Sequence, residues 1–295
     1  MITTTTGLRR TLAATVGTAI ALSVALTGCS STPATTASTP AAAPLPATPR
    51  LASADNFRDI GGIGAGYVTS DGKHVKRGVV YRSNALTLKP ADVATVQSLG
   101  VTEILDLRTP GEIAAKPDAE ITGAEWVNEN VIGASDAGMP TFKTPQEATA
   151  MMATTYRNFV SDETARKAIA ATLTEIADSK GADIVHCTAG KDRTGWVSAV
   201  LLSVAGVPQK TITNDYLLTN QYSRSSINAT LAGLKAQGGD AAAAVYAPLL
   251  GVDASYLDAT FDQLKSDYGT MDSYLTKGLG LSKKTIAKLK DRLVA

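Results

Sequence analysis

The stretch HCTAGKDRTG, from His186 to Gly195, holds the residues best suited to chemistry in this sequence. The apolar run ADIVHC ends at Cys187, and the apolar run TGWVSAVLLSVAG follows, so the pattern predicts a strand, a loop and a helix. Such a loop presents backbone N–H groups, and the start of the helix adds a positive partial charge, which together bind an anion. Arg193 can donate a planar pair of hydrogen bonds to a phosphate. The same positive field favours the thiolate of Cys187, so the loop is suited to nucleophilic attack on phosphorus through a phosphocysteine that water then hydrolyses.

Each position of this loop has an expected role. Gly190 lets the backbone approach a ligand closely. His186 is expected to orient the loop, and Thr194 to donate its hydroxyl to the sulfur. Lys191 either raises the local positive potential, meets an additional phosphate or is simply solvated. The predicted phosphate-binding residues are Thr188, Ala189, Gly190, Lys191, Asp192, Arg193 and Thr194.

A leaving alkoxide needs a general acid, and three aspartates are candidates. Asp106 follows the apolar strand VTEIL, and strand ends in open α/β sheets face the ligand crevice. Asp192 lies inside the loop beside Arg193. Asp136, in GASDAGMP, could belong to a lid, although an exposed turn carboxylate is the favoured interpretation. We expect Asp106 to act as the acid and Asp192 to orient Arg193 or water, and both are predicted catalytic residues together with Cys187 and Arg193.

Other chemistries that use glycine-rich or metal-binding motifs fit poorly. A nucleotide-binding P-loop requires Gly-x4-Gly-Lys-Ser/Thr, but Val185 occupies the first glycine position and Asp192 follows the lysine. The glycines of GGIGAG, residues 61–66, lack a following helix and predict a turn. The sequence has two histidines and two cysteines, too few to predict a zinc site. We expect neither a metal nor a cofactor.

The order of the elements predicts the fold class. Strand-like segments at 78–83, 101–107 and 182–187 alternate with helical patterns at 89–100, 162–181 and 194–206. Two further helices are expected at 253–269 and 282–295. Alternation of this kind predicts an α/β domain with a central, largely parallel sheet flanked by helices and a helical C-terminal part.

The N-terminus has the composition of an export signal. Arg9 and Arg10 precede an uncharged apolar run over 11–28, which predicts a signal peptide over residues 1–28. LTGC, ending at Cys29, resembles the lipobox of bacterial lipoproteins and predicts lipidation of Cys29. Residues 29–50 are rich in Pro, Ala and Thr and predict a tether, followed by one domain over 51–295. We expect an exported, extracytoplasmic protein that is lipid-anchored to the cell membrane or released.

The charge of the chain and its cysteine content limit which molecules it binds and which disulfides it forms. The chain of 295 residues carries 28 basic and 27 acidic side chains, so it has no basic surface excess for nucleic acid. If Cys29 carries a lipid, Cys187 has no disulfide partner within the chain. A lone thiol in an exported protein is either buried and inert or retained for its reactivity.

His-Cys-x5-Arg-Thr resembles the signature loop of the cysteine-dependent protein tyrosine and dual-specificity phosphatases. HCTAGKDRTG is similar to the bacterial branch of that family, which includes a secreted mycobacterial tyrosine phosphatase. Further segments resemble the family in the same order: NFRDIGG (56–62), YRSNAL (81–86), DLRTPGE (106–112), NDYLLTN (214–220) and YGTMDSYLTKGLGLS (268–282). The resemblance implies a phosphatase α/β fold without metal, and substrates that include phosphotyrosine and extend to phosphoserine, phosphothreonine and phosphoinositides. By position, residues 225–256 resemble a helical lid with a hinge at QGGD. Arg58, Asp59 and Arg82 could brace the loop or its floor by ion pairing, although a purely structural role is the favoured interpretation.

The sequence therefore predicts a lipid-anchored phosphatase that acts on a phosphorylated protein or phosphoinositide, contacts the membrane through its N-terminal lipid and does not bind nucleic acid. The alternative is a catalytically inactive module that binds phosphotyrosine or phosphoinositide. Sulfur transfer or arsenate reduction is a third class, but arsenate reduction generally needs additional cysteines to resolve its intermediate. Hydrolysis of p-nitrophenyl phosphate, with Cys187→Ser as control, separates the first two.

Overall fold

The computed structural model describes residues 48–133 and 140–295. The predicted signal peptide, Cys29, the tether up to residue 47 and Asp136 lie outside these residues, so their roles stay predictions. Within the described ranges, no helix combines the length and hydropathy needed to cross a membrane.

Five short strands form one sheet in the order β1-β2-β5-β3-β4. The strands are β1 (Arg58–Asp59), β2 (Val80–Ser83), β3 (Val101–Asp106), β4 (Glu125–Asn128) and β5 (Ala182–His186). All neighbouring pairs are parallel except β1 with β2. The predicted α/β class with a largely parallel sheet is therefore confirmed.

Consecutive residues of the central strands contribute to different cores. Ile104 of β3 lies opposite Ile184 of β5, and both belong to the smaller core. Leu105 and Val185, one residue further along, also lie opposite each other and belong to the larger core. Because side chains alternate across a strand and both faces are covered, the apolar residues of these strands are consecutive rather than at every second position.

Eleven helices accompany the sheet in the described part of the chain. They are α1 (Pro90–Ser98), α2 (Pro110–Ala115), α3 (Pro145–Ser161), α4 (Glu163–Asp178), α5 (Arg193–Val204), α6 (Gln209–Leu217), α7 (Thr219–Tyr222), α8 (Arg224–Leu250), α9 (Ala254–Tyr268), α10 (Met271–Ser273) and α11 (Lys283–Leu293). A π-helical turn follows α10 over Tyr274–Gly278. The predicted helices over 89–100, 162–181, 194–206, 253–269 and 282–295 correspond to α1, α4, α5, α9 and α11, and the predicted turn at 61–66 is also observed.

Two helices position most of the site. Every residue of α5 except Ser203 is buried, and its core side chains include Trp196 and Leu201, which explains why its sequence is apolar all round. α3 buries a stripe at helical spacing that runs through Ala148, Met152 and Tyr156. The stripe packs Tyr156 toward the start of α5, where the loop 187–192 ends.

Candidate active site

The loop from Cys187 to Asp192 joins the carboxyl end of β5 to the start of α5. Gly190 has a φ of 66°, in the left-handed region that favours glycine. A Cβ at this position would lie 2.3 Å from the backbone oxygen of Ser83, so a larger residue could not fit while the loop stays against β2. The Ala85 N–H also donates to the Thr188 carbonyl at 3.2 Å. These contacts fix the loop against the end of the sheet.

Cys187 lies at the base of this loop with 1% of its surface exposed, and its thiol is free. The helix α5 begins six residues later, which places the positive end of its dipole at the loop. The Thr194 hydroxyl is buried and has no hydrogen-bond partner in the described part of the chain. A phosphorylated or ionised sulfur would offer this hydroxyl an acceptor.

The guanidinium of Arg193 is held by Glu112 through two parallel bonds. Nη1 donates to Oε2 and Nη2 donates to Oε1, each at 2.6 Å. The Thr188 hydroxyl donates to the same Oε1 at 2.5 Å. Burial opposes the charge of Arg193, but Cys187 and Glu112 outweigh it and keep the pKa of the guanidinium above its usual value. Arg193 is therefore charged and fixed in orientation beside the cysteine.

A local sequence signal places Glu112 where it can do this. Thr109, Pro110 and Glu112 begin α2 with a capping box, in which the Thr109 side chain accepts from the Glu112 N–H and Oε2 of Glu112 accepts from the Thr109 N–H. Burial raises the pKa of Glu112, but the hydrogen bond and charge of Arg193 outweigh this effect and lower the pKa to about 2. The carboxylate is thus ionised at any physiological pH.

Two more guanidinium groups lie beneath the loop. Arg82 donates to the Gly190 carbonyl at 2.8 Å and pairs with Asp215 at 3.3 Å. Arg58 pairs with the same Asp215 at 3.4 Å, and Asn56 donates to the Gly190 carbonyl at 2.8 Å. Burial, followed by repulsion from Arg58, lowers the pKa of Arg82 to about 10. Arg82 and Asn56 touch the loop directly, and Arg58 contacts it only through Asp215 and Asn56.

Asp106 lies in a buried cluster behind the loop. Oδ1 of Asp106 accepts from Nε of Arg108 at 2.8 Å and Oδ2 accepts from Nη2 at 2.7 Å, and the residue has no exposed surface. Nη2 of Arg108 also donates to Asp118, whose Oδ2 lies 3.1 Å from Nε2 of His186. A carboxylate enclosed and held by a guanidinium in this way is poorly placed to release a proton to a substrate. The geometry gives Asp106 and His186 a supporting place behind Cys187 and does not favour Asp106 as the acid.

Asp192 is the last residue of the loop and directly precedes α5. Its Oδ1 accepts from the Tyr156 hydroxyl at 2.7 Å and from Nζ of Lys191 at 3.0 Å, and its side chain is partly exposed. Tyr156 in turn lies 2.6 Å from the Tyr216 hydroxyl. Lys191 is buried and also donates to the Gly251 carbonyl at 3.3 Å, so the interpretation of a solvated lysine is wrong.

A cavity of about 280 Å³ opens over the loop. Thr188, Ala189 and Lys191 form its floor, and Ile227, Leu249 and other residues of α8 form one wall. The predicted helical cover is thus present as α8, and its regular helix is interrupted at Gly239, within the predicted hinge QGGD. Movement of this cover stays a prediction.

Comparison with known proteins decides the family. The family model described as "Tyrosine phosphatase family" matches residues 49–295, which is most of the chain. The chain belongs to the tyrosine phosphatase family. The resemblance drawn from the loop and its companion segments is therefore confirmed at the level of the family, and the protein is a protein phosphatase.

Three relatives of this phosphatase span most of its length. A Cupriavidus necator protein named "Putative tyrosine-protein phosphatase" is 35% identical over 247 residues, covering 81% of this chain and 86% of the relative. The "Triple specificity protein phosphatase PtpB" of Mycobacterium tuberculosis is 26% identical over 285 residues, covering 84% and 99%. A "Tyrosine-protein phosphatase" of Nostoc commune is 29% identical over 216 residues and covers 70% of each chain.

Two residues of the phosphatase site, Glu112 and Tyr156, are not predicted as site residues from the sequence. Glu112 ends the segment DLRTPGE (106–112), and the capping box that follows a strand end there is the local signal for its position near the loop. Tyr156 belongs to α3, a helix that the sequence analysis does not predict, although the segment PQEATAMMATTYRNFV has apolar residues at helical spacing. The predicted residues His186 to Thr194 do lie together as one loop, whereas Asp106 lies behind it.

Proposed function

We propose that this tyrosine phosphatase hydrolyses phosphate monoesters through a phosphocysteine on Cys187. The observation that carries the proposal is the buried free thiol at the base of a loop whose Arg193 is fixed by the two bonds that it donates to Glu112. The loop N–H groups and Arg193 would bind the three non-bridging phosphate oxygens and neutralise the charge that develops on them. Because this arrangement exists before substrate binds, little reorganisation is needed during the reaction.

The reaction proceeds in two displacements. In the first, the thiolate of Cys187 forms a P–S bond, the P–O bond to the tyrosine breaks, and Asp192 donates a proton to the departing phenolate. In the second, Asp192 accepts a proton from water as the water oxygen bonds to phosphorus and the P–S bond breaks. Inorganic phosphate leaves, and Thr194 donates its hydroxyl to the regenerated thiolate. Asp192 takes the place of Asp106 as acid because its side chain is partly exposed, whereas that of Asp106 is fully buried.

The substrate range extends beyond phosphotyrosine in this proposal. One relative is named a triple specificity phosphatase, and the cavity above the loop carries two lysines, Lys116 and Lys191. Two cations beside the reacting phosphate would bind a second phosphate, as on a phosphoinositide. The remaining walls include Ile227, Leu249 and Leu250, which suit an aromatic ring.

Single-turnover and steady-state assays test this function. The protein should hydrolyse p-nitrophenyl phosphate and a phosphotyrosine peptide, and acid quench should trap a phosphorylated enzyme whose label is lost in Cys187→Ser. Undiminished turnover by Cys187→Ser would refute the phosphocysteine. Parallel assays with phosphoserine peptides and phosphoinositides, in wild type and Lys191→Met, test the range; loss confined to phosphoinositides in that variant would support a second phosphate site.

We further propose that the protein is exported and lipid-anchored through Cys29. The proposal rests on the basic start, the apolar run over 11–28 and LTGC in the sequence. In a bacterial host, the wild-type protein should enter the membrane fraction and incorporate labelled fatty acid, whereas Cys29→Ala should do neither. Equal membrane partition and labelling of the two would refute the lipobox.

A further inference from the structure

We propose that Tyr156 is a positioning residue that holds the carboxyl group of Asp192, the proton donor and acceptor assigned above, in place for both steps. The inference rests on that proposed role of Asp192. The Tyr156 hydroxyl donates to Oδ1 of Asp192 at 2.7 Å, and the Tyr216 hydroxyl lies 2.6 Å from the Tyr156 hydroxyl. Nothing in the sequence motif of the loop includes either tyrosine, because they come from α3 and α6.

The direction of each hydrogen bond follows from whether the group can donate, accept or do both. An ionised carboxylate only accepts hydrogen bonds, so the single proton of the Tyr156 hydroxyl is directed at Asp192. The Tyr216 hydroxyl must then donate to the oxygen of Tyr156. The two phenols therefore form a chain that ends on the carboxylate of Asp192.

This chain can also serve the protonated carboxyl. A protonated Asp192 can donate to the Tyr156 oxygen, and Tyr156 then donates to Tyr216, because a hydroxyl is both donor and acceptor. Lys191, the other partner of Asp192, can only donate. A group that gives up a proton in one step and takes one in the next needs a partner that accommodates both states, and Tyr156 is such a partner.

Packing holds the phenols in this geometry. Tyr156 has no exposed surface, and its ring meets Tyr216 edge-on and Tyr256 at a tilt, with centroids 6.2 Å and 5.7 Å away. The Thr260 hydroxyl donates to the Tyr156 carbonyl at 3.2 Å and ties α3 to α9. Burial, and then the charge of Asp192, raises the pKa of Tyr156 well above its usual value. The phenol is therefore a neutral donor throughout the working pH range.

The charged and titratable groups that face Asp192 set the direction of the expected effect. They are Lys191 from the loop, Arg193 from α5, Tyr156 from α3, Tyr216 from α6 and Tyr256 from α9. Removing the Tyr156 hydroxyl withdraws a donor from the ionised carboxylate and leaves the two cations in place. A carboxylate that loses such a donor is less well stabilised in its ionised form.

The basic limb of the pH profile reports this change, because Asp192 must be protonated to act as an acid. In Tyr156→Phe, the basic limb of kcat/KM for phosphotyrosine should move upward by about half to one pH unit, which corresponds to the difference between a hydrogen bond to the ionised carboxylate and a weaker one to the neutral carboxyl. At the optimum kcat should fall about tenfold through lost orientation, while the Ki of inorganic phosphate stays within about twofold, because the phosphate loop is unchanged. Tyr216→Phe keeps Tyr156 in place and should shift the limb in the same direction by less.

The matched control is Tyr274→Phe, which also removes a buried tyrosine hydroxyl. Tyr274 has no exposed surface, and its hydroxyl lies 3.4 Å from the Trp196 indole nitrogen rather than near the loop. It should leave the basic limb and kcat unchanged. Two results would overturn the inference and leave the proposed function intact. One is an equal shift of the basic limb in Tyr274→Phe. The other is a basic limb that moves in neither Tyr156→Phe nor Tyr216→Phe, although Asp192→Asn abolishes that limb. A normal limb in Asp192→Asn would instead overturn the role of Asp192 itself.

Discussion

Replacing Glu112 with Gln tests whether the orientation of Arg193 limits catalysis. The change keeps the size of the side chain and removes its charge. One end of the glutamine amide can still accept from Arg193, but the other end is an NH₂ group that faces a guanidinium N–H. Two bonds of 2.6 Å between a guanidinium and a carboxylate are thereby reduced to one bond between a guanidinium and a neutral amide oxygen.

The magnitude follows from the burial of the pair. The side chain of Arg193 is 9% exposed and that of Glu112 is 29% exposed, so solvent screens the pair only in part. Hydrogen bonds to charged groups contribute about 1.5–3 kcal/mol. If that amount is lost from transition-state binding, kcat/KM falls by about 10- to 150-fold. The loss should be alike for p-nitrophenyl phosphate and phosphotyrosine, because a positioning defect does not depend on the leaving group.

The chain supplies a matched control for the helix cap. α2 begins with Thr-Pro-Gly-Glu and α3 begins with Thr-Pro-Gln-Glu, so Glu147 occupies the same position in α3 as Glu112 does in α2. Glu147 is exposed and its carboxylate accepts from the Lys143 N–H, away from the loop. Glu147→Gln should therefore retain full activity. The reasoning fails if Glu112→Gln stays within about twofold of wild type, or if Glu147→Gln loses as much.

The same substitution has a pH signature in stability. The pKa of Glu112 is lowered from 4.5 to about 2 in the folded protein, so its stabilising contribution is complete above pH 4.5 and is lost as the pH falls toward 2. Acid unfolding of Glu112→Gln should accordingly be less steep over that window than unfolding of the wild type, as followed by circular dichroism.

Three further predictions concern the acid, the loop and the sheet. Asp192→Asn should reduce turnover of phosphoserine far more than that of p-nitrophenyl phosphate, whereas Asp106→Asn should reduce both alike and lower the melting temperature; the reverse pattern would restore Asp106 as the acid. Gly190→Ala should abolish activity because its Cβ would meet the Ser83 backbone, whereas Gly64→Ala, at a similar φ with open space, should cost only about 1 kcal/mol of stability by urea unfolding. Burial and the charge of Asp183 raise the pKa of Glu103 to about 7, so the wild type loses stability as the pH rises from 4.5 to 7. Glu103→Gln should therefore be more stable than the wild type by about 1–2 kcal/mol at pH 8, but not at pH 4.

The elements that were predicted best from the sequence are those in which reactive residues lie within a short, regular pattern. The run ADIVHC, the glycine at 190 and the apolar helix after it predict β5, the loop and α5, because each feature depends on residues close together in the chain. The helices α4, α9 and α11 were predicted for the same reason. Each has a capping residue at its start, Asp162, Asp253 or Ser282 respectively.

The remaining features depend on contacts between distant segments. Asp106 follows a strand in the expected way, but its side chain is committed to Arg108, two residues away, and the sequence alone does not say which partner a buried carboxylate finds. Glu112 and Arg193 are separated by 81 positions and Tyr156 and Asp192 by 36. Such pairs are set by how the helices pack on the sheet; the capping box of Thr109 and Glu112 predicts the start of α2 but does not specify Arg193 as the partner.

The shared carboxylate beneath the loop has a consequence for ligand linkage. Arg58 and Arg82 are two cations, and Asp215 is the one anion that pairs with both, so this trio carries an excess positive charge inside the fold. Any oxyanion seated on the loop relieves that repulsion, and a ligand that binds only the folded state stabilises it by about 2.7 kcal/mol at a concentration of 100 Kd. Inorganic phosphate, the product, should therefore raise the melting temperature as well as inhibit. In phosphate-rich surroundings the enzyme would be both more durable and less active, so its lifetime and its turnover respond in opposite directions to the product it releases.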